Sequence, residues 1–203
     1  MHGRDLDVAR LSTLLVSLPA LTTIGYLFLR ADLHCRPTAA AVRAFLAEAA
    51  RAIGRCSSLL HLRLGIILLS RLPDQVPEAL VRELAGMRSL VRVTLRLQAW
   101  EADRLDWPAT FSLAHLLAGL ACLTRLRALS LSLFNVGMEA TLPACVSCLA
   151  QLTSLSLCGV DGLRCAPGWA RLPALVRLDF HGCVLTQAWL LRGFSSLPRA
   201  WRL

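Results

Sequence analysis

Two cysteines with the spacing Cys-x-x-Cys, Cys145 and Cys148, are the residues whose types and separation most suggest chemistry. A structural zinc site needs a second cysteine or histidine pair, because zinc takes four such ligands. Cys158 and Cys165 are separated by six residues and follow an apolar stretch, so they do not supply that pair. A redox motif would lie between a strand and a helix, a pattern that is missing here. We therefore expect small buried thiols among the eight cysteines, and we predict no metal site.

Motifs for nucleophilic or phosphate chemistry are also missing from the sequence. It contains no GxxxxGK[ST], GxGxxG, GxSxG or HExxH segment. Cys158 and His181 occupy the same position in two neighbouring predicted strands, and such a pair can activate a thiolate. That activity also needs a third orienting group and a pocket, so we interpret the two as surface neighbours. We predict that the protein is not an enzyme and that it uses no cofactor and no small-molecule substrate.

The charge balance is strongly basic, with 22 basic against 13 acidic side chains and a net charge of +9. Every basic residue is arginine, and these arginines are scattered with no run of four. Nucleic-acid binding needs clustered cations along the path of the phosphates. A composition rich in Arg, Ala, Gly and Leu without lysine is also typical of GC-rich coding sequence. The pattern therefore disfavours nucleic acid as the partner.

The segment Leu11–Leu29 carries no charged residue and is long enough to span a bilayer. Polar residues, Pro19 and Gly25 interrupt it, and the ten residues before it contain acids as well as bases, unlike a signal peptide. We expect a cytoplasmic protein and disfavour a membrane partner. A membrane-anchored or secreted protein that uses residues 11–29 remains an alternative, and an axonemal location also stays open.

A mixed leucine spacing recurs along the whole chain. In LTRLRALSLSLF, Leu123–Phe134, the leucines are three residues apart and then two apart, which suits neither a helix nor a simple strand. The template Leu-x-x-Leu-x-x-Leu-x-Leu, with aliphatic substitutes, matches six times, and a seventh match begins at Leu197. The six matches are Leu18/Leu21/Ile24/Tyr26, Cys56/Leu59/Leu62/Leu64, Met87/Leu90/Val93/Leu95, Leu123/Leu126/Leu129/Leu131, Leu149/Leu152/Leu155/Leu157 and Leu172/Leu175/Leu178/Phe180.

Periods of roughly 20–40 residues are typical of solenoids, in which each repeat buries its apolar side against its neighbours. The pattern resembles the leucine-rich repeat family, in its irregular form found in ribonuclease-inhibitor-like and F-box-associated proteins. The best single match is LVRLDFHGCVL, in which Leu175, Leu178, Phe180, Cys183 and Leu185 occupy the five family positions. The resemblance implies an α/β solenoid with a curved parallel sheet on the concave side and helices and turns on the convex side. The asparagine ladder of the family, which normally satisfies backbone groups in the turn after each strand, is nearly absent, so the resemblance does not explain the hydrogen bonds of that turn.

We predict a single array over residues 1–203, because no linker interrupts the repeats. Strands are expected near 21–27, 59–65, 90–97, 126–133, 152–158 and 175–181, followed by a truncated seventh repeat from 197. Helices are expected in segments 38–56, 77–87 and 110–123, where the steps between repeats are long and helix formers are frequent. Because the chain stops inside the seventh repeat without a polar cap, we expect either a fragment or end-to-end oligomers.

The resemblance implies a non-enzymatic scaffold that binds another protein on the concave face. Side chains that alternate with the buried leucines must point outward on that face. The candidate binding residues among them are His61, Arg63, Arg92, Thr94, Arg96, Ser130, Ser154, Arg177, Asp179 and His181. We expect Arg63, Arg92 and Arg96 to form one cationic group, and Arg177, Asp179 and His181 a mixed one. The alternative function is substrate recognition within an F-box ubiquitin ligase receptor, although no F-box segment is visible.

Overall fold

The computed structural model describes residues 13–15, 17–18, 20–31, 39–68, 82, 84–99, 111–134, 138–139, 149–160 and 172–183. Two helices are defined there, α1 (Ala39–Gly54) and α2 (Leu113–Leu120). The strands are β1 (Thr23–Ala31), β2 (His61–Leu68), β3 (Arg92–Ala99), β4 (Phe111–Ser112), β5 (Ala128–Phe134), β6 (Met138–Glu139), β7 (Ser154–Cys158) and β8 (Arg177–His181). The protein belongs to the α/β class.

Six of these strands form one parallel sheet in the sequential order β1-β2-β3-β5-β7-β8. From β2 to β8 the register is continuous, so that Leu64, Leu95, Leu131, Leu157 and Phe180 are successive partners across the sheet. A separate short parallel pair joins β4 to β6. This order is consistent with a repeat solenoid, since each strand pairs with the strands that precede and follow it in the large sheet.

The three-residue leucine steps correspond to turns that deliver the chain into each strand. Before β3, the amide of Met87 donates to the carbonyl of Leu84 at 2.9 Å, and the amide of Leu90 donates to Met87 at 3.1 Å. Two consecutive bonds of this i→i+3 kind place all three side chains on the same side of the turn. The same pair of bonds precedes β1, β2 and β5. The mixed spacing therefore reflects two short turns followed by a strand.

Neighbouring turns are joined by a backbone bond that recurs at each junction of the large sheet. The carbonyl of Leu60 accepts the amides of Val91 and Arg92 at 2.8 and 3.0 Å. The carbonyls of Thr22, Val91, Arg127 and Thr153 each accept two successive amides of the next segment in the same way. Because one oxygen holds two donors, the start of each strand is fixed relative to the strand before it.

The inward side chains of these strands form one apolar core, as the alternation predicts. Nine predicted interior positions are at most 2% exposed: Leu62, Leu64, Val93, Leu95, Leu129, Leu131, Leu155, Leu157 and Leu178. Phe180, the tenth, is only partly buried and packs against this core. Removing an aliphatic side chain of this size from water contributes about 1.5–3 kcal/mol, so this core is a major source of stability.

The interior pattern predicted for β1 is wrong at Tyr26. Between Ile24 and Leu27 the register against β2 shifts by one residue, so that Gly25 and Tyr26 together oppose Arg63. This bulge reverses the alternation beyond it. Leu27 pairs with Leu64 and is buried, whereas Tyr26 is 52% exposed.

The first match of the template is irregular before the strand as well. Leu18, predicted to face the interior, is 43% exposed. The strand that it precedes, β1, lies at one end of the six-stranded order and is hydrogen-bonded only to β2 within that sheet. Its counterpart before β8, at the other end of the sheet, is Leu172, which is only 3% exposed, so the exposure of Leu18 is specific to the first match.

Helix α1 lies within the predicted segment 38–56 and α2 within 110–123, although Phe111 and Ser112 of the latter segment form β4. In α1, Ala49, Ala52 and Ile53 are buried, at three-four spacing along one side of the helix. Leu116, Leu117 and Leu120 of α2 are buried in the same core. Within the predicted helix 77–87, residues 82, 84 and 85 are helical and residues 86–87 are not. Residues 77–81 and 83 lie outside the described residues.

The described helices do not include one that is both long enough and apolar enough to cross a bilayer. Within the uncharged segment 11–29, residues 13–15 are helical and residues from Thr23 onward belong to β1.

Candidate binding face

The outward side chains of the large sheet form a polar surface, which we call the open face. Its residues lie in three rows that cross the strands, because the strands are in register. The first row contains His61, Arg92, Ala128, Ser154 and Arg177; the second contains Arg63, Thr94, Ser130, Ser156 and Asp179; the third contains Gly65, Arg96, Ser132, Cys158 and His181. All ten candidate residues lie on this face.

A depression of about 390 Å³ lies over the first two rows. Its lining extends from Thr23 and Gly25 on β1 to Ser154 and Ser156 on β7. The side chains between these limits include His61, Arg63, Arg92, Thr94 and Ser130. The lining is therefore cationic over β2 and β3 and hydroxylic over β5 and β7.

The positive charges of Arg63 and Arg92 in the depression are not balanced by acidic side chains among the described residues that line it. Arg63 and Arg92 are both exposed, and the lining residues include neither Asp nor Glu. Within the described part of the chain, neither guanidinium makes an ion pair with an acidic side chain. A planar guanidinium offers paired N–H donors that match a carboxylate, so this part of the face is suited to an acidic group.

Arg96 does not belong to the same group, contrary to the expected cluster of three arginines. Its guanidinium lies over the ring of Phe134, 5.2 Å from the centroid, and donates to Oε1 of Gln98 at 3.3 Å. A cation over an aromatic face is attracted by the ring quadrupole. Arg96 is thus held toward the end of its strand, and it is not among the residues lining the depression.

The β8 end of the open face is internally neutralised. Nε of Arg177 donates to Oδ2 of Asp179 at 2.7 Å. The Asp179 side chain is only 13% exposed, whereas that of Arg177 is 67% exposed. The predicted mixed-charge group therefore contains a formed ion pair, with exposed His181 next to it in the strand.

Cys158 and His181 are direct register partners on β7 and β8. Their side chains belong to the third row, outside the depression. No hydrogen bond joins the two among the described contacts. The arrangement agrees with the interpretation of surface neighbours.

Tyr26 is a residue of this surface that the sequence interpretation placed incorrectly, because it was predicted to face the interior. The bulge sets Gly25 and Tyr26 opposite Arg63, and of these two residues Gly25 lines the depression. A glycine inside a strand pattern is a known signal of a bulge. Gly25 is such a glycine. A bulge predicted at Gly25 would have predicted that Tyr26 is exposed.

Cys183, which follows β8, makes hydrogen bonds to the backbone of the sheet. Its Sγ donates to the carbonyl of Leu157 at 3.4 Å and approaches the carbonyl of His181 at 3.6 Å. Burial raises the pKa of the Cys183 thiol, so the protonated donor form is favoured. In the preceding turn, the amide of Gly159 donates to the carbonyl of His181 at 2.9 Å. Both contacts link the last two strands of the sheet.

Among the described residues, no group of three or more His, Cys, Asp or Glu side chains is arranged so that it could hold a metal ion. The cysteines described there are free thiols: Cys56, Cys122, Cys158 and Cys183. Cys35, Cys145, Cys148 and Cys165 lie outside the described residues, so the interpretation of those four stays a prediction.

No protein-family model matches this chain, and no curated protein is significantly similar to it in sequence.

Proposed function

We propose that the chain is a leucine-rich repeat solenoid that acts as a non-enzymatic scaffold and binds a partner protein on the open face. Two structural features support the family assignment: the recurring pair of turn bonds, and the carbonyl that accepts two amides at each junction. Cys183, whose thiol reaches the carbonyl of Leu157, occupies the Asn/Cys position of the family pattern.

The observation that carries the functional proposal is the continuous second row of the open face. Arg63, Thr94, Ser130, Ser156 and Asp179 lie on five adjacent strands in unbroken register. The first four are anchored between buried residues of their own strands, and Asp179 between buried Leu178 and partly buried Phe180, so little backbone entropy is lost when a partner docks. Polar groups presented in this way can contact an extended segment over several strands.

Blocking the centre of the face tests the proposal. Ser130 is half-buried in the floor of the depression, and Ser130→Trp would fill part of it. Tryptophan is well accepted in strands, so the sheet should persist. The matched control is Ala118→Trp, which places the same side chain on an exposed position of α2.

Affinity purification from the cells that express the protein, followed by quantitative mass spectrometry, gives the readout. We expect Ala118→Trp to recover the same proteins as the unmodified chain and Ser130→Trp to lose them. Circular dichroism must show that both variants keep the fold. Equal recovery by two folded variants would exclude the centre of the open face as the binding surface.

A further inference from the structure

The open face has a charge gradient from one end to the other. Arg63 and Arg92 supply two positive charges at the β2–β3 end, where the described lining residues include neither Asp nor Glu. At the β8 end Arg177 is neutralised by Asp179 at 2.7 Å. Between them the lining on β5 and β7 carries only small, neutral side chains on its polar positions.

We propose that the β2–β3 end of the open face binds an acidic segment of the partner protein, with a Glu or Asp carboxylate held between Arg63 and Arg92. The inference rests on the proposed function, because it assumes that a protein segment docks on this face. It adds the chemistry of that segment and its position on the sheet.

The two arginines can act on one carboxylate. Arg63 pairs with Thr94 and Arg92 pairs with His61, so the two arginines are diagonal neighbours on adjacent strands. Two residues along a parallel strand rise about 6.6 Å and adjacent strands lie about 5 Å apart, so the two Cα atoms are roughly 8 Å apart, a separation that long side chains can bridge. Both line the same depression, and both are exposed. A carboxylate between them accepts charge-assisted hydrogen bonds from two guanidinium groups.

The rest of the face selects the residues that flank the acidic group. Ser130, Ser154 and Ser156 can donate to or accept from a peptide backbone or a neutral polar side chain. The ion pair of Arg177 with Asp179 has no net charge, so these two residues do not attract a second cluster of carboxylates to the β8 end. The segment therefore has its acidic residues over β2 and β3 and neutral residues over β5 and β7.

Nucleic acid fits this surface less well than an acidic peptide. A phosphate backbone must be followed by cations over many nucleotides, and single strands also require aromatic side chains for base stacking. The cationic part of the depression covers two strands, about 5 Å apart, and the described residues that line it include no Phe, Tyr or Trp. One carboxyl-bearing segment matches a patch of this size.

A binding measurement with defined peptides tests the inference. The probe is a fluorescein-labelled peptide of alternating Glu and Gly, and its comparison peptide has Gln in place of Glu. Fluorescence anisotropy is measured for the full chain, for Arg63→Gln/Arg92→Gln, and for the control Arg88→Gln/Arg125→Gln. Arg88 and Arg125 are exposed and lie in the turns before β3 and β5, so both double variants lose the same charge.

We expect the Glu peptide to bind more tightly than the Gln peptide, and Arg63→Gln/Arg92→Gln to weaken it about tenfold. The control double variant should change the affinity less than about twofold. Equal loss in both variants would mean that binding follows net charge, and equal affinity for the two peptides would mean that carboxylates are not recognised; either result overturns the inference. Tighter binding of an oligonucleotide or a phosphoserine peptide at the same two arginines would overturn it as well.

The same variants separate this inference from the proposed function. If Ser130→Trp abolishes capture of cellular partners while Arg63→Gln/Arg92→Gln does not, the open face still binds protein and only the acidic segment is refuted. If neither variant affects capture, both proposals fail.

Discussion

Two glycines with left-handed backbone conformations give a sharp test of how closely the strands and their turns are stacked. Gly159 has a φ of 69° and Gly182 a φ of 58°. A Cβ at Gly159 would overlap the backbone carbonyl oxygen of Leu133 in β5, whereas a Cβ at Gly182 would meet no atom of the described residues within 4 Å. Gly159→Ala and Gly182→Ala therefore share a backbone penalty and differ in the steric contact.

The expected magnitudes follow from these two terms. Alanine in the left-handed region costs about 1–2 kcal/mol, offset by roughly 0.4–1 kcal/mol from the less flexible unfolded chain. Gly182→Ala should thus lower the free energy of unfolding by about 1 kcal/mol. Gly159→Ala must also separate the turn from Leu133, and that displacement weakens the 2.9 Å bond from the Gly159 amide to His181. We expect a total loss of about 3 kcal/mol or more, within the range of strained backbone and overpacked sites.

Urea unfolding followed by circular dichroism measures both values, provided that the dependence on denaturant is the same for the two variants. If Gly182→Ala folds and Gly159→Ala does not, the result agrees with a larger loss of stability in Gly159→Ala. Losses that agree within about 0.5 kcal/mol would refute the close approach of Gly159 to Leu133, and with it the tight stacking of β5 on β7.

Three further outcomes are expected. Leu95→Ala, at a position with 0% exposure, should lower the free energy of unfolding by about 2–5 kcal/mol. Leu18→Ala, at 43% exposure, should lower it by less than about 1 kcal/mol. Similar losses for the two variants in urea unfolding would contradict the described core. Iodoacetamide should alkylate exposed Cys122 before Cys56 and Cys183, since burial raises the pKa of both latter thiols; peptide mass spectrometry of the native protein would show the order, and earlier labelling of Cys56 would contradict it. The thiols of Cys56 and Cys183 ionise at lower pH in the unfolded chain than in the folded one. Their contribution to stability should therefore be complete below about pH 9 and should be lost as the pH rises through their folded pKa values. A free energy of unfolding that increases over that range would contradict this sign.

Much of the sheet could be predicted from the sequence because its physical cause is periodic. Leu129, Leu131 and Leu133 alternate with polar residues, and only one phase of a strand can bury all three. The same phase in the neighbouring matches places Ser130 beside Ser156 and Thr94. The ten candidate residues could therefore be assigned to one face, although their binding role stays a proposal.

The parts that could not be predicted depend on local geometry instead of period. At Gly25 one extra residue enters β1 and reverses the orientation of Tyr26 and Leu27. Arg96 has the correct phase for the open face, yet the ring of Phe134 holds its guanidinium away from the depression. A sequence pattern specifies the side of the sheet on which a residue lies, but contacts made by long side chains are set by rotamers and by neighbouring turns.

The central claim is that a protein segment docks on the open face with its carboxylates at the β2–β3 end. A two-dimensional amide NMR titration of the full chain with the Glu–Gly peptide tests it residue by residue. We predict chemical-shift changes at His61, Arg63, Arg92 and Thr94, smaller ones at Ser130, and none at Arg88 or Arg125 in the turns. Changes concentrated at the turns, or spread evenly over all the arginines, would contradict the claim.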